Sequence, residues 1–311
     1  MGMKTLVKKV WGYITHPKMA VQTIQVKRMH GSYGKKMDDA EYVKRLFKIV
    51  LGYELDLENP KTFSEKLQWL KLYAFKPEYT VMADKYRMRE YVAERIGEGH
   101  TIPLLGVWDD PEEIDFDKLP DRFVLKCNHN SGLGMCICRD KSKLDIAKVK
   151  RELKKGIEQD YYLTSRERPY KDIKRKIIAE EYLEDDTTKE LRDYKFFVIN
   201  GSVKIFYITS GFKAGDRRTD FFDMDLNHLD IRDCDEMAEI PPAFPQYLEK
   251  MIKLAEELAE GIPQLRVDFY EVNGHIYVGE FTFYYYGGCV PFRPKKWDAI
   301  WGEWLELPPK N

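Results

Sequence analysis

The sequence has no long apolar run. Nothing in it approaches the roughly 18–20 residues that a helix needs to cross a bilayer, so a membrane-spanning protein is excluded as an expectation. Cysteine is scarce, 5 in 311 residues, odd in number and without CxxC or Cys/His spacing. That argues against a disulfide framework and against structural zinc. Charge of one sign is also missing: 51 Lys and Arg stand against 52 Asp and Glu. A strongly basic nucleic-acid binder is therefore not expected. There is no internal repeat and no low-complexity tract. Near the N-terminus the apolar residues are interrupted by Lys8 and Lys9, so no signal-peptide core forms. A cytoplasmic protein is expected.

One local absence is informative. Residues 1–37 contain no acid and eight bases (Lys4, Lys8, Lys9, Lys18, Lys27, Arg28, Lys35, Lys36), which leaves the rest of the chain at net −9. The protein reads as an acidic body with a basic N-terminal arm. Apolar and basic residues alternate over 5–30 (Leu6, Val7, Val10, Trp11, Ile14, then Met19, Val21, Ile24, Val26), as in an amphipathic helix broken near Pro17. Two readings stay open. The arm could touch an anionic membrane surface, at the inner membrane face. The plainer reading is a helix packed on the body with its lysines in water.

What is present suffices for a sizeable core: 43% hydrophobic and 14% aromatic residues, over a length suited to two or three packed units. Thr62-Phe63-Ser64-Glu65 has the form of a capping box, in which the hydroxyl and the Glu each take one orphan amide. A helix should follow, with Leu67, Trp69, Leu70 and Leu72 in the core. A second helix is expected from about 84 to 96, stopped by Gly97. Strands are expected at 123–126, 135–138 and 177–181, with a charged helix between the last two at about 144–160. Strands 194–199 and 203–208 flank Asn200-Gly201, a strong hairpin signal. A helix over about 244–260 precedes a final hairpin of roughly 265–271 and 275–283. The sum is an α+β protein dominated by antiparallel hairpins.

Three stretches carry chemistry. In the first, a strand delivers Lys126 into a polar, glycine-rich turn containing His129, Ser131, Gly132 and Gly134. Glycines let backbone amides approach a phosphate, and successive N–H groups form an anion-binding concavity. A purely structural turn is the bland alternative. In the second, the apolar strand 177–179 ends in Glu180, Glu181, Tyr182, Leu183 and Glu184, which could wall an adenine slot or simply enter solvent. In the third, Arg266 and Asp268 share one strand face, as do Glu280 and Thr282. A two-residue loop at Asn273-Gly274 would pair Val267 with Glu280 and put Asp268 and Glu280 on opposite faces. A three-residue loop, 272–274, would pair Arg266 with Glu280 and set Asp268 diagonal to it. Two carboxylates so placed suit Mg²⁺; an Arg–carboxylate bridge in a sheet is the alternative.

Together these stretches follow the chain order of the ATP-grasp superfamily. More specifically, the chain resembles the TupA-like ATP-grasp family over about 55 to 310. The resemblance rests on TFSEKLQWL (62–70), IPLLGVW (102–108), FVLKCNH (123–129), IAEEYL (178–183), DYKFF (193–197) and RVD (266–268). It implies an ATP-grasp architecture: two α+β subdomains clasping ATP, preceded by a helical N-terminal region. The implied division is a basic arm and helices (1–60), an N-terminal α/β part (61–119), a lid (120–184) and a core with the metal site (185–311). It also implies ATP and Mg²⁺ as cofactors. Lys126 would then hold phosphate, and the amides around Ser131, Gly132 and Gly134 would close over the triphosphate. Glu180, Tyr182 and Leu183 would face adenine, with Glu184 near the ribose. Lys195 would reach toward phosphate, Asp268 and Glu280 would carry Mg²⁺, and Arg266 would stabilise the transferred phosphoryl group.

The implied reaction is ATP-dependent ligation: a carboxylate attacks the γ-phosphate, and an amine attacks the acyl-phosphate. The family is similar to a teichuronopeptide biosynthesis protein and is associated with bacterial cell-surface polysaccharides, which implies a small-molecule or glycan acceptor with a carboxylate. The sequence departs from the superfamily at Thr282, where an Asn metal ligand is usual, and in the run Phe283 to Gly288. Rival readings are a sugar kinase with His129 as base, a nucleotide-binding module without turnover, and a glycosyltransferase using Asp223 and Asp225.

Overall fold

The computed structural model describes residues 17–187, 191–211, 215–233 and 235–310, with side chains from residue 20 onward. The N-terminal part is helical: α1 (Pro17–His30), α2 (Ser32–Lys35), α3 (Asp39–Leu51), α4 (Phe63–Tyr73), α5 (Glu78–Ala83) and α6 (Met88–Ile96). Helix α1 begins at Pro17, where fixed φ and the missing N–H suit a first helical position. The stretch of the basic arm before it lies outside the described residues. Helix α4 carries the expected capping box: Thr62 Oγ1 accepts from Glu65 N at 3.2 Å, and Glu65 Oε2 accepts from Thr62 N at 3.0 Å. The helix expected over 84–96 begins only at Met88, as α6; residues 84–87 form the turn between α5 and α6.

A small antiparallel sheet follows. Its strands are β1 (Leu104–Trp108), β2 (Phe123–Cys127), β3 (Cys136–Cys138) and β4 (Ile177–Glu181), in spatial order β1-β4-β2-β3. Strand β1 precedes the division expected at residue 120, yet it pairs with β4 and belongs to this sheet. Helix α7 (Ile146–Glu158) covers one face; Val149 and Leu153 pack on Phe123, Leu125, Ile177 and Ala179. The two-residue period then sends Val124, Lys126 and Glu180 to the other face. Helix α8 (Tyr162–Ser165) and an irregular segment lead into β4.

The large sheet is also antiparallel, ordered β7-β6-β5-β8-β9. Its strands are β5 (Asp193–Ile199), β6 (Ser202–Ser210), β7 (Arg218–Asp223), β8 (Gln264–Val272) and β9 (His275–Thr282). Asn200 and Gly201 turn β5 into β6 with positive φ (49° and 81°), as their sequence predicts. Helix α9 (Leu248–Leu258) and the C-terminal α10 (Lys296–Trp304) join α3 to α6 and this sheet in the main core. The small sheet keeps a separate core.

The β8–β9 hairpin takes neither expected arrangement. Its loop is the two-residue Asn273-Gly274 turn, pairing Val272 with His275. The register then slips between Asp268 and Phe269: Phe269 faces Val278, whereas Asp268 faces Glu280. Gly279 is the extra residue, a β-bulge that restores the two carboxylates to one face. A Cβ at Gly279 would lie 2.7 Å from the Tyr270 ring, so any larger residue there would have to push that ring aside.

Candidate active site

A row of side chains crosses four strands of the large sheet. Tyr207 of β6 pairs with Lys195 of β5, Lys195 with Asp268 of β8, and Asp268 with Glu280 of β9. Arg266, one step along β8 on the same face, lies opposite Thr282. Lys195, Arg266, Glu280 and Thr282 line a cavity of about 900 Å³. Asp268 lies beneath them, 1% exposed. Its Oδ1 accepts from Arg266 Nε at 2.6 Å, and its Oδ2 accepts from Arg266 Nη2 at 2.7 Å and Lys195 Nζ at 2.5 Å. The Arg–carboxylate bridge weighed as the alternative is therefore present. Burial opposes the Lys195 charge, but Asp193 and Asp268 outweigh it and hold its pKa above the ordinary value.

Glu280 reaches the cavity with 35% of its side chain exposed. Arg266 Nη2 is 3.3 Å from one of its oxygens, and Lys85 Nζ 3.6 Å from the other. Burial disfavours its charge, but Lys85, Lys195, Arg266 and Lys126 overcome that and bring the carboxyl down to about 2. Among the described residues no group of three or more His, Cys, Asp or Glu could hold a metal ion. Two opposed carboxylates fit Mg²⁺ only if phosphate oxygens complete its shell, the usual manner for this ion. Thr282 adds a neutral hydroxyl beside them.

The small sheet faces this row. Lys126 lines the cavity, and its Nζ meets Glu180 Oε2 at 2.5 Å. Ser131 and Gly132 also line it. Gly132 has φ 79° and open space where a Cβ would be. Gly134, expected beside it over phosphate, does another job. A Cβ there would lie 2.8 Å from Gly156 Cα and 2.9 Å from Cys127 Sγ, so Gly134 seats the loop on α7. Glu180, Tyr182, Leu183 and Glu184 line a second pocket of about 320 Å³, with Val124, Met135 and Ile137 as apolar walls. Arg139 Nε donates to Tyr182 Oη at 3.2 Å, and Arg122 Nη1 meets Glu184 Oε2 at 3.0 Å. Lys126, Met135, Asp193 and Tyr270 line both pockets and join them.

Sequence reasoning missed Lys85. Its Nζ donates to Asn130 O at 2.8 Å, over the glycine turn, and it lines the cavity. Buried Asp84 anchors it by accepting from Asn128 Nδ2 at 2.7 Å and Tyr86 N at 2.9 Å. The Asp84-Lys85 pair lies in a stretch that reads as plain helix, which hid the turn. Two rival assignments lose their footing. His129 is buried, its Nε2 3.0 Å from Gln159 O, and it does not line the cavity. Asp223 caps a turn by accepting from Asp225 N at 3.0 Å and Asn227 N at 2.8 Å, and lines neither pocket.

Solved structures similar to this chain include D-alanine–D-alanine ligase from Bacillus anthracis complexed with ATP (16% identity, 65% of this chain and 54% of that chain, TM-score 0.38). Others are D-alanine–D-alanine ligase from Helicobacter pylori (12%, 85% and 69%, 0.41) and a RimK domain ATP-grasp protein from Sphaerobacter thermophilus (10%, 80% and 72%, 0.41). The chain spans about half the length of the first of these, 54%. No curated protein matches it. The sequence model of the TupA-like ATPgrasp family matches residues 65–306, most of the chain. With the strand-borne lysines, the glycine turn and the paired carboxylates in one cleft, this makes the chain a member of the TupA-like ATP-grasp family.

Proposed function

We propose that the protein is an ATP-dependent ligase that joins a carboxylate to an amine through an acyl-phosphate. The observation that carries this reading is the pair of joined pockets: an apolar slot of about 320 Å³ opening at Lys126 and Tyr270 into a cationic cavity of about 900 Å³. The slot suits adenine between Val124, Met135, Ile137 and the backbone at Tyr182 and Leu183, with Glu184 toward the ribose. Lys126, Lys85, Lys195 and the amides at Ser131 and Gly132 neutralise the triphosphate. Glu280, with Thr282 beside it, would hold Mg²⁺, and Asp268 would join it by giving up its contacts to Arg266 and Lys195; the ion would supply charge neutralisation. Arg266 faces the γ-phosphoryl group and offsets charge that develops as the acceptor carboxylate attacks. The cavity, about 900 Å³ and lined also by Val26, Leu46 and Tyr284 to Tyr286, has room for an acceptor beside the triphosphate. We place the acceptor among carboxylate-bearing sugars or glycans of the bacterial cell surface, in line with the family resemblance, and the enzyme in the cytoplasm.

The test is ADP release by the purified full-length protein, assayed with Mg-ATP and a panel of uronic and amino acids with and without amines. Release that needs both, with an amide product, is expected. A stable phosphosugar product, or no binding of an ATP analogue, overturns the reading. Glu280→Gln should cut Mg²⁺-dependent turnover by about 10²-fold or more, with an unchanged circular dichroism spectrum.

A further inference from the structure

The acids that line the large cavity are Glu167, Asp193 and Glu280. Asp193 lies 3.4 Å from Lys195, and Glu280 meets Arg266 and Lys85. Among the described residues, Glu167 alone of the three has no lysine or arginine nitrogen within 4 Å, although it is only 5% exposed. Ser165 Oγ donates to its Oε1 at 2.5 Å. Tyr161, Tyr170 and Tyr284 line the cavity with it, and after burial itself Glu167 is the leading charge that keeps each phenol protonated. The charge of Glu280 also acts on Tyr161 and Tyr170, which line the same cavity as both acids.

A buried carboxylate in a cavity shared with three tyrosines suits a cation. Its surroundings are rigidly set. Lys71, itself buried, donates to Ser165 O at 2.9 Å and Gly287 O at 2.5 Å, and Gln68 Nε2 donates to Gly287 O and Gly288 O. The segment before Glu167 is tied to the N-terminal helices: Tyr42 Oη donates to Thr164 O at 2.8 Å, and Arg166 Nη2 to Gly34 O at 2.8 Å. Lys71 is the leading positive charge acting on Glu167, but its Nζ lies beyond 4 Å and is held by the two carbonyls instead.

We propose that Glu167 binds the amine co-substrate as its ammonium ion and takes one of its protons. This rests on the ligase reading and names the second substrate's subsite. The ammonium gives a proton to the Glu167 carboxylate. The freed nitrogen lone pair forms the C–N bond at the acyl carbon, and the C–O bond to phosphate breaks with its electron pair leaving on phosphate. The second N–H proton leaves with that phosphate, and Glu167 returns its proton to water. Burial lifts the Glu167 carboxyl above its ordinary value, against the pull of Lys71, which brings it nearer to the range a base needs.

The test uses the full-length protein saturated with Mg²⁺ and a non-hydrolysable ATP analogue. Binding of methyl-, ethyl- and 2-hydroxyethylammonium is followed by NMR titration. At least one should bind, roughly tenfold or more weakly in Glu167→Gln, with Glu167→Asp retaining part of the affinity. Affinity for the ATP analogue should match wild type in both variants, and circular dichroism should show both folded. Ammonium binding should also fade as pH falls and the carboxyl takes up its proton. Failure of all three ions to bind wild type, equal binding by Glu167→Gln, or pH-independent binding overturns the proposal. Failure of the ATP analogue to bind overturns the ligase reading instead.

Discussion

Asp268 answers two cations at once, and this is where a single substitution tells most. Asp268→Asn would replace the carboxylate that Arg266 and Lys195 share with a neutral amide, leaving them the longer carboxylate contacts to Glu280 and Asp193 and, for Arg266, the Tyr207 hydroxyl. Breaking a buried pair from one side costs about 3–5 kcal/mol, because the stranded charge has no water. Urea unfolding should show that loss, and a change under about 1 kcal/mol would mean the cations find other partners. His129 gives a second residue-scale test. Burial, helped by Arg175 and Lys85, brings its pKa to about 4 from 6.5. The unfolded chain then binds more protons than the folded one between those values, so stability is complete above pH 6.5 and declines as pH falls toward 4. The span amounts to about 3 kcal/mol at most. His129→Asn should flatten that part of the pH–stability curve, and an unchanged slope would assign it to other groups.

At the scale of elements, the glycine turn and helix α7 touch backbone to backbone. A Cβ on Gly156 would lie 2.7 Å from Gly134 Cα. Helix propensity alone favours alanine over glycine by about 1 kcal/mol. Packing should reverse that sign: Gly156→Ala should lower the melting temperature and weaken ATP-analogue binding roughly tenfold, or about 1.4 kcal/mol. A more stable variant with normal binding would show that the turn can shift freely. The same scale explains what the sequence made legible. The capping box at Thr62, the turn at Asn200-Gly201 and the strands expected at 123–126 and 177–181 are local signals, and they formed as read. The bulge at Gly279 is not local, because it depends on the Tyr270 ring across the ladder, so loop arithmetic alone misplaced Glu280. Gly279 in a strand interior was its one visible sign. Lys85 stayed hidden for a similar reason: its position depends on Asn128, 43 residues away in another unit. Gly134 looked like a phosphate glycine, since spacing cannot tell an amide offered to a ligand from one pressed on a helix.

For the whole molecule, the described part of the basic N-terminus is tied to the rest of the chain. Residues 17–37 are built into the body: Gln22 Nε2 donates to Ile49 O and Val50 O, and Gly34 O receives Arg166. Removing 1–37 should therefore lower the melting temperature and disturb the Glu167 segment. Removing 1–16 alone should leave ATP-analogue binding intact, and if the arm meets anionic lipid it should reduce sedimentation with anionic liposomes. Equal sedimentation by the two proteins would assign the lysines to solvent.

The cavity is also its own counter-ion atmosphere. Lys126 is matched by Glu180, Lys195 by Asp193 and Asp268, Arg266 by Asp268 and Glu280, and Lys85 by Glu280. A triphosphate entering such a site releases few mobile salt ions, because it displaces fixed carboxylates. Its affinity should thus depend less steeply on salt than the number of lysines suggests. The displaced carboxylates in turn become the negative centre that a divalent ion arriving with the nucleotide can satisfy. Nucleotide and metal would then enter by one exchange of partners, each making room for the other.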